Sequence, residues 1–507
     1  MGGRRRPVRA LSGALVACLV PAVAHADSAG TLVERGLAAM GGVERVRALR
    51  GIKIEGIGHA YHPEQSERPE GPYLIEYDEV VAWRDLAGGR VLTQHRSRGA
   101  FLAEWTASTT YTTPTATFRI ADAKVTPGAL AAFEDDRESL ALAPERVLLT
   151  ALDAKDLRAG GTELAEGLDQ DVVAFGWRGR DVRLLLNPYT HLPTLMEVVR
   201  ERPDNVFLAP WGDVRARTSW GNWQIVSGLR LPLSSWRTIN GLPDADFTIT
   251  RATLDPGDAP WPKVDAAAIA AAEQRVRNGP QPVALSGPGQ ELAEGIRFYA
   301  GRWNTTLVRQ EAGVVVLEAP LANELSEAAI VEAGKVFPGA PLAAVVSTSD
   351  AWPHIAGLRA YAARKLPLYV FALTVPLVRR LLDAPHATRP DAWEQRRRDD
   401  SRAAADIRPV AGKTAIGTGP NRIELYPLRG EGSERMVMAY FPGRKLLYAS
   451  DLVQPQGDEF FNPVYLTELV AAVAREKLAV DTVFAMHAGP TPWTKVVAAA
   501  AKASRPQ

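Results

Sequence analysis

The sequence is poor in the residues on which several common classes of protein depend. It has one cysteine in 507 residues, which excludes a framework of disulfides and a zinc site built from cysteine ligands. It has no useful excess of positive charge, since 59 lysines and arginines stand against 58 aspartates and glutamates, and this argues against binding to nucleic acid. It has only 8 histidines, and that scarcity limits any metal site that depends on imidazole.

The amino terminus has the pattern of an export signal. A cluster of arginines within residues 4–9 precedes an apolar run, 10–24, that is too short to span a bilayer. Ala24-His25-Ala26 fits a cleavage site of small residues, so residues 1–26 are interpreted as a signal peptide and the mature protein as periplasmic or extracellular. The alternative is a lipoprotein anchored through Cys18, which ends a lipobox-like L-V-A-C. No later segment is long and apolar enough to predict a transmembrane span.

Composition changes twice along the rest of the chain. Strand patterns separated by turn residues repeat over 27–254, after an opening helix. Residues 255–290 are rich in Pro, Gly and Ala, with one short helix over 266–277, and are typical of a linker. Strands and helices then alternate over 291–507. We therefore predict an α+β protein of two domains joined by this linker.

The β-rich region, 27–254, begins with a helix and continues with many short strands. That order predicts one antiparallel sheet curled around a core. It resembles the half-barrel of lipoprotein carriers and related periplasmic proteins, and the resemblance implies a concave face that can hold an acyl chain. We expect a half-barrel-like first domain, with a small molecule or a lipid-like molecule as its ligand.

In the second half, polar residues follow the ends of predicted strands. A strand ending at residue 347 leads into a segment from Ser349 to Arg359 that contains Asp350 and His354. Two later strands lead in the same way into Asp451 and into His487. Sites in sheet proteins usually lie at such strand ends.

This order of elements resembles the metallo-β-lactamase superfamily, an αββα sandwich, over 291–507. The superfamily has the motif T-H-x-H-x-D-H-x-G-G-x-R where this chain has T-S-D-A-W-P-H-I-A-G-L-R. Ser349, Ala351 and Pro353 therefore replace two histidines and an aspartate of the motif. A further histidine, expected near Gly432-Ser433, is also missing.

The resemblance implies that the ligands of the first metal are lost except for a shared aspartate, whereas the second metal keeps His354, Asp451 and His487. The histidine count agrees without any alignment, because only His354, His386 and His487 occur from residue 291 onward. The usual dinuclear mechanism is therefore excluded unless ligands come from outside this region.

The remaining donors predict at most one ion, of zinc or iron, held by His354, Asp451 and His487. Asp350, close to this set in sequence, is the candidate general base. The first hypothesis is a hydrolase-like enzyme that activates water for cleavage of an ester- or amide-type bond.

The alternative is a metal-free pseudoenzyme that serves as a binding module for a lipid or another apolar ligand. In that case His354 packs against or caps its helix, and Asp451 caps a turn. Trp352 and Pro353 would then fill the space that a metal ion and water occupy in the enzymes.

Charged residues also lie near the predicted rim of the cavity. Glu434, Arg435 and Arg422 could bind an anionic substrate. Charges of this kind are more often solvated side chains on an exposed face, so both interpretations stay open.

Overall fold

The computed structural model describes residues 28–64, 70–99, 104–122, 124–203, 205–257, 259–281 and 284–504. The predicted signal peptide and Cys18 lie outside the described residues. Within those ranges, no helix is both long enough and apolar enough to cross a membrane.

One antiparallel sheet dominates the first half. Its helices are α1 (Ala29–Met40), α2 (Val43–Ala48), α3 (Leu130–Leu142) and α4 (Val147–Leu152), of which α3 and α4 were not predicted. In the described part of the chain the sheet has thirteen strands. They are β1 (Gly51–His62), β2 (Leu74–Asp85), β3 (Arg90–Arg98), β4 (Thr106–Thr112), β5 (Thr117–Ala121), β6 (Lys124–Pro127), β7 (Arg158–Ala165), β8 (Leu168–Trp177), β9 (Arg180–Leu186), β10 (Pro193–Glu201), β11 (Asp213–Val226), β12 (Leu229–Ile239) and β13 (Leu242–Leu254).

The strand order makes the sheet a double meander. β1 to β6 pair in sequence on one side, β7 to β13 pair in sequence on the other, and β1 pairs with β13 in the middle. The break between α1 and α2 falls at Gly41, whose φ is +127° and where a Cβ would lie 2.6 Å from the carbonyl oxygen of Gly228. Only glycine fits that conformation and that approach. The broad antiparallel sheet agrees with the prediction for this half, and its closure into a half-barrel stays a prediction.

After helix α5 (Ala266–Asn278), within the predicted linker, the chain enters two further sheets. Among the described residues the first of them has seven strands: β14 (Gln290–Ala293), β15 (Ile296–Tyr299), β16 (Thr305–Gln310), β17 (Gly313–Leu317), β18 (Leu342–Val346), β19 (Leu368–Phe371) and β20 (Ile407–Val410). The chain continues with β21 (Thr414–Ile416), β22 (Ile423–Pro427), β23 (Val437–Phe441), β24 (Leu446–Tyr448), β25 (Pro455–Gln456), β26 (Glu459–Phe460), β27 (Thr482–Phe484) and β28 (Thr491–Pro492). β25 and β26 form a separate pair, and the other strands of this run form the second sheet.

The helices of the second half lie between these strands. They are α6 (Asn323–Val336), α7 (Trp352–Ile355), α8 (Leu358–Ala363), α9 (Val375–Asp383), α10 (Ala392–Asp399), α11 (Val464–Arg475) and α12 (Trp493–Ala503), with short 3₁₀ helices at Ala209–Trp211 and Ala372–Thr374.

The two sheets of the second half pack face to face. Every residue of β17 is buried, and its side chains alternate between two clusters. Val315 and Leu317 pack with residues of the second sheet, whereas Val314 and Val316 pack with α6, α8 and α9. Helices α11 and α12 cover the outer face of the second sheet. The packing therefore has the order helix, sheet, sheet, helix that an αββα sandwich requires.

The first and second halves share a buried cluster. Trp211 of the first half and Trp352 of the second belong to it. Nearby, the backbone N–H of Asp213 donates to the carbonyl of Pro385 at 2.9 Å, and the carboxylate of Asp213 accepts from the N–H of Ala387 at 2.7 Å. The boundaries of the two domains stay a prediction.

Some local predictions need correction. The sequence from His354 to Lys365 predicts a single helix, whereas the structure has two, α7 and α8, which are separated near Gly357. A Cβ on Gly357 would lie 2.0 Å from the hydroxyl of Ser326, so α6 can approach this break only because the residue is glycine. Thr374 precedes α9 and is of a residue type that favours the N-cap position, but it does not cap the helix through its side chain. Helix α10 and strands β14 to β16 were not predicted.

Candidate functional site

The candidate site lies where four strands end. β17 and β18 are parallel neighbours in one sheet, and β24 and β27 are parallel neighbours in the other. Their carboxyl ends lead to Glu318, to the loop before His354, to Asp451 and to His487. A cavity of about 350 Å³ opens there, lined by Phe207, Trp303, Ser349, Asp350, Ala351, Pro353, His354, Gly432, Arg435, Met436, Asp451, Gln454, Phe461, Tyr465 and His487.

Asp451 lies between the two histidines predicted as metal ligands. Its Oδ2 is 2.8 Å from Nε2 of His354, and its Oδ1 is 3.1 Å from Nε2 of His487. His354 is almost fully buried, with 1% of its side chain exposed, whereas His487 is 26% exposed. The structure thus brings together all three residues of the predicted set.

The other nitrogen of each ring faces an oxygen. Nδ1 of His354 is 3.2 Å from Oε2 of Glu318, and Nδ1 of His487 is 3.3 Å from the backbone carbonyl oxygen of Arg302. Such contacts hold an imidazole in one orientation and direct its Nε2 at the opposite side, which is how metal-binding histidines are usually positioned.

Glu318 is a site residue that the sequence analysis did not single out. It is fully buried and has a φ of +76°, a region that residues other than glycine seldom adopt. Its carboxylate accepts hydrogen bonds from the backbone N–H of Thr348, at 3.1 Å, and from the hydroxyl of Thr348. Ser450 Oγ lies 2.8 Å from that hydroxyl. The signal in the sequence was a charged residue directly after a wholly apolar strand.

The buried charges of the site shift one another's pKa. Burial alone lowers the pKa of His354, but the carboxylates of Asp451 and Glu318 hold it well above its usual range. Burial alone raises the pKa of Asp451, but His354 and His487 hold it well below its usual range. A protonated imidazole has no lone pair to offer, so a metal ion that binds here must displace a proton from His354.

Asp350 and Arg435 line the same cavity. Burial raises the pKa of Asp350 to about 7, against the opposing effect of the Arg435 guanidinium. Nε of Arg435 is 4.0 Å from Oδ2 of Asp350. The guanidinium also donates to the carbonyl of Leu373, at 2.9 Å, and to the carboxylate of Glu70, at 2.8 Å. Glu70 belongs to the first half of the chain, so both halves contribute charged groups here.

Other candidates lie elsewhere. The ring of Trp352 packs against that of Trp211 and is not among the described residues that line the cavity, so it does not fill the site as the pseudoenzyme hypothesis suggested. Arg422 pairs with Glu424 at 2.6 Å and does not line the cavity either. His386 lies in a different cavity.

The types of donor suit one metal ion, but their present arrangement does not surround one. Two imidazole Nε2 atoms and a carboxylate are ligands that suit zinc or iron. Oδ1 of Asp451 is buried and makes no hydrogen bond within the described part of the chain, since its contact with His487 lacks hydrogen-bond geometry. The ligands are not already arranged around an ion: in the described ranges, no group of three or more His, Cys, Asp or Glu side chains has the geometry of a metal site.

No family model and no curated protein matches the sequence. Solved structures that match part of the chain include a metallo-beta-lactamase from Pontibacter korlensis, with 16% identity and a TM-score of 0.33 over 42% of this chain and 96% of that one. The metallo-beta-lactamase DIM-1 has 15% identity and a TM-score of 0.33 over 43% and 96% of the two chains. The inverting sec-alkylsulfatase Pisa1 from Pseudomonas sp. has 16% identity and a TM-score of 0.31 over 42% and 40%. Similarity at this level does not identify an activity.

Proposed function

We propose that the second half is a hydrolase that uses one metal ion, of zinc or iron, to cleave an ester- or amide-type bond. The observation that supports this most is the position of Asp451 between Nε2 of His354 and Nε2 of His487, at the wall of an open cavity. These three side chains would hold the ion. A bound ion of this kind lowers the pKa of water and so supplies a nucleophile near neutral pH.

The neighbouring residues would prepare the site for that chemistry. Glu318 orients His354 through Nδ1, and the carbonyl of Arg302 does the same for His487. Asp350 has a pKa of about 7, which suits a group that takes up and releases a proton near neutral pH. Asp350 is therefore the proposed general base.

The proposal involves one ion rather than two. Ser349, Ala351 and Pro353 occupy positions at which the resemblance expects ligands of a dinuclear site, and all three line the cavity. A methyl group and a proline ring supply no metal donor through their side chains.

Metal content tests the proposal. The full-length mature protein would be incubated with zinc or with ferrous iron, dialysed and measured by elemental mass spectrometry. We expect about one ion per chain, lost in His487→Ala, as for a site whose ligands converge only in the folded chain. His59→Ala is the matched control, because His59 also pairs with an aspartate, Asp246 at 3.0 Å, but lies outside the cavity. An absence of metal from the wild-type protein after both incubations would contradict the proposal.

The second candidate function is a metal-free binding module. It is favoured by the two carboxylates that flank His354, since they satisfy both ring nitrogens without an ion. A smaller cavity of about 240 Å³ in the first half is lined by apolar side chains such as Trp220 and Phe247 and by charged ones such as Arg84. It would take a small molecule with an apolar body and a polar end. Mass spectrometry of solvent extracts from the purified protein would show whether such a molecule co-purifies.

We further propose that the protein is exported to the periplasm or beyond. The arginine cluster, the apolar run and the small residues before Asp27 support this. The mass of the mature chain is expected to correspond to a start at Asp27. A mature chain that begins at a lipid-modified Cys18 would instead establish the lipoprotein. In that case Cys18→Ser would abolish the modification.

A further inference from the structure

Arg435 is a buried cation whose donors are only partly used. Its side chain is 13% exposed. One Nη donates to the carbonyl of Leu373, and the other donates to Oε2 of Glu70. Nε is buried and has no hydrogen-bond partner among the described residues. The guanidinium edge formed by Nε and the Nη that faces Glu70 is therefore half occupied.

That edge is suited to a carboxylate. The Nε and outer Nη donors of arginine point in the same direction and bind the two oxygens of one carboxylate together. Glu70 contacts only one of these donors, and its side chain is 68% exposed. An ion pair with so exposed a partner contributes little, of the order of 0–1 kcal/mol. A carboxylate that enters through the cavity could bind both donors and displace Glu70 at little cost.

The neighbouring Asp350 restricts the kind of anion. It is 7% exposed, lies 4.0 Å from Nε of Arg435, and its Oδ2 has no hydrogen-bond partner in the described part of the chain. An anion bound to Arg435 would lie close to the carboxylate of Asp350, and like charges that lie close together in a buried place repel each other. A singly charged carboxylate is therefore favoured over a doubly charged phosphate.

We propose that the substrate carries a carboxylate, that Arg435 binds it, and that Glu70 of the first half holds this arginine in the absence of substrate. The inference rests on the proposed function and names the class of substrate. Arg435 is then a specificity-determining residue, and the first half of the chain takes part in substrate selection through Glu70.

Two pairs of probes test the inference, and each pair differs only by a methyl group replaced with a carboxylate. Hydrolysis is compared for p-nitrophenyl hexanoate and mono-p-nitrophenyl adipate, whose carboxylate is too far from the ester to attack it through a five- or six-membered ring. Binding is compared for butyramide and succinamate by isothermal titration calorimetry on the full-length protein. We expect the wild-type protein to prefer the anionic member of both pairs at pH 7.5.

The variants separate the roles of the two residues. Arg435→Met is expected to weaken the binding of succinamate about 10-fold or more, since a hydrogen-bonded ion pair is lost. Glu70→Gln, at an exposed position where folding is not at risk, is expected to strengthen it a few-fold because the competing carboxylate is removed. Butyramide has no carboxylate, so either substitution is expected to change its binding much less than that of succinamate. Arg422→Met is the control, because Arg422 pairs with Glu424 and does not line the cavity.

The outcomes distinguish this inference from the proposed function. If wild-type protein binds succinamate no more tightly than butyramide, the inference is overturned even when both esters are hydrolysed. If succinamate binds in a manner that depends on Arg435 while neither ester is cleaved, the hydrolase is overturned and the carboxylate site stands. An unchanged affinity in Glu70→Gln would overturn the role of Glu70.

Discussion

Trp211 and Trp352 pack edge to face, with ring centroids 4.7 Å apart and ring planes at 73°. Both side chains are almost fully buried, and the guanidinium of Arg380 lies 5.5 Å from the ring centre of Trp211. Trp352 begins α7, the helix that carries His354. A tryptophan of the first half therefore supports the helix that positions a proposed metal ligand.

We expect Trp211→Ala to lower the free energy of unfolding by about 3–5 kcal/mol, the cost of removing a large buried aromatic side chain. Urea denaturation followed by circular dichroism measures this loss. Trp236→Ala is the control, because Trp236 is 40% exposed and its removal should cost much less. A double-mutant cycle with Trp352→Ala should give a coupling of about 0.5–1.5 kcal/mol for the aromatic pair. Additive losses would show that the two rings do not support each other.

Arg359 lies in α8, the helix that follows α7, and pairs with Asp391 at the start of α10. It is fully buried, and its Nε and one Nη donate to the two carboxylate oxygens of Asp391 at 2.6 and 3.0 Å. The other Nη donates to backbone carbonyls, among them that of Leu382 at 3.0 Å. A fully buried guanidinium whose Nε and both Nη atoms all donate to protein oxygens indicates a structural role for this residue.

Removal of one partner from a buried ion pair leaves the other charge without compensation. Arg359→Met is therefore expected to destabilise the fold by about 3–5 kcal/mol. Arg364→Met, which removes a partly exposed partner of Glu327, should cost less than about 1 kcal/mol. Thermal unfolding of the two variants in parallel provides the comparison. Equal stability of the two variants would refute the structural role.

The sequence was sufficient to find the parts of the site that follow local rules. His354, Asp451 and His487 each come shortly after an apolar strand, and the structure brings them together. The pattern of alternating strands and helices likewise predicted most elements of the second half. Local patterns predict these elements because the apolar residues of a buried strand or helix recur at a fixed spacing within a short stretch of sequence.

Other parts depend on contacts between distant residues and could not be predicted in this way. Glu70 reaches Arg435 across 365 positions of the sequence, and no local pattern records such a pair. Helix α10 contains the run Q-R-R-R and has the composition of a solvated segment, although Trp393 anchors it in the core. Strand β14 begins inside the Pro- and Gly-rich segment that was interpreted as linker.

Glu318 is expected to control the protonation of His354. Glu318→Gln keeps an acceptor for Thr348 but removes one of the two negative charges that face the imidazole. Because those charges raise the pKa of His354, the substitution should lower it. NMR titration of the histidine rings in metal-free protein measures the change. The control is Glu332→Gln, which removes the negative charge of the carboxylate that accepts from Tyr299. An unchanged pKa of His354 would mean that Glu318 does not act on this ring.

The first half contains a partly buried acid that should make the free energy of unfolding depend on pH. Burial raises the pKa of Asp136 to about 6, although its Oδ2 accepts a hydrogen bond from Thr112 at 2.5 Å. The unfolded chain has a pKa of about 3.9 for this residue, so the folded state binds the proton more tightly. The stability that this proton provides is complete below about pH 4 and is lost as the pH rises through 6.

Asp136→Asn imitates the protonated side chain at every pH. Relative to wild type, the variant is therefore expected to gain of the order of 1–3 kcal/mol of unfolding free energy at pH 8 and almost nothing at pH 4. Urea denaturation at both values tests this, beside Asp169→Asn at an exposed position, where the two values should agree. Burial disfavours only the ionised carboxylate. A gain in unfolding free energy that is as large at pH 4 as at pH 8 would therefore show that the asparagine acts through packing.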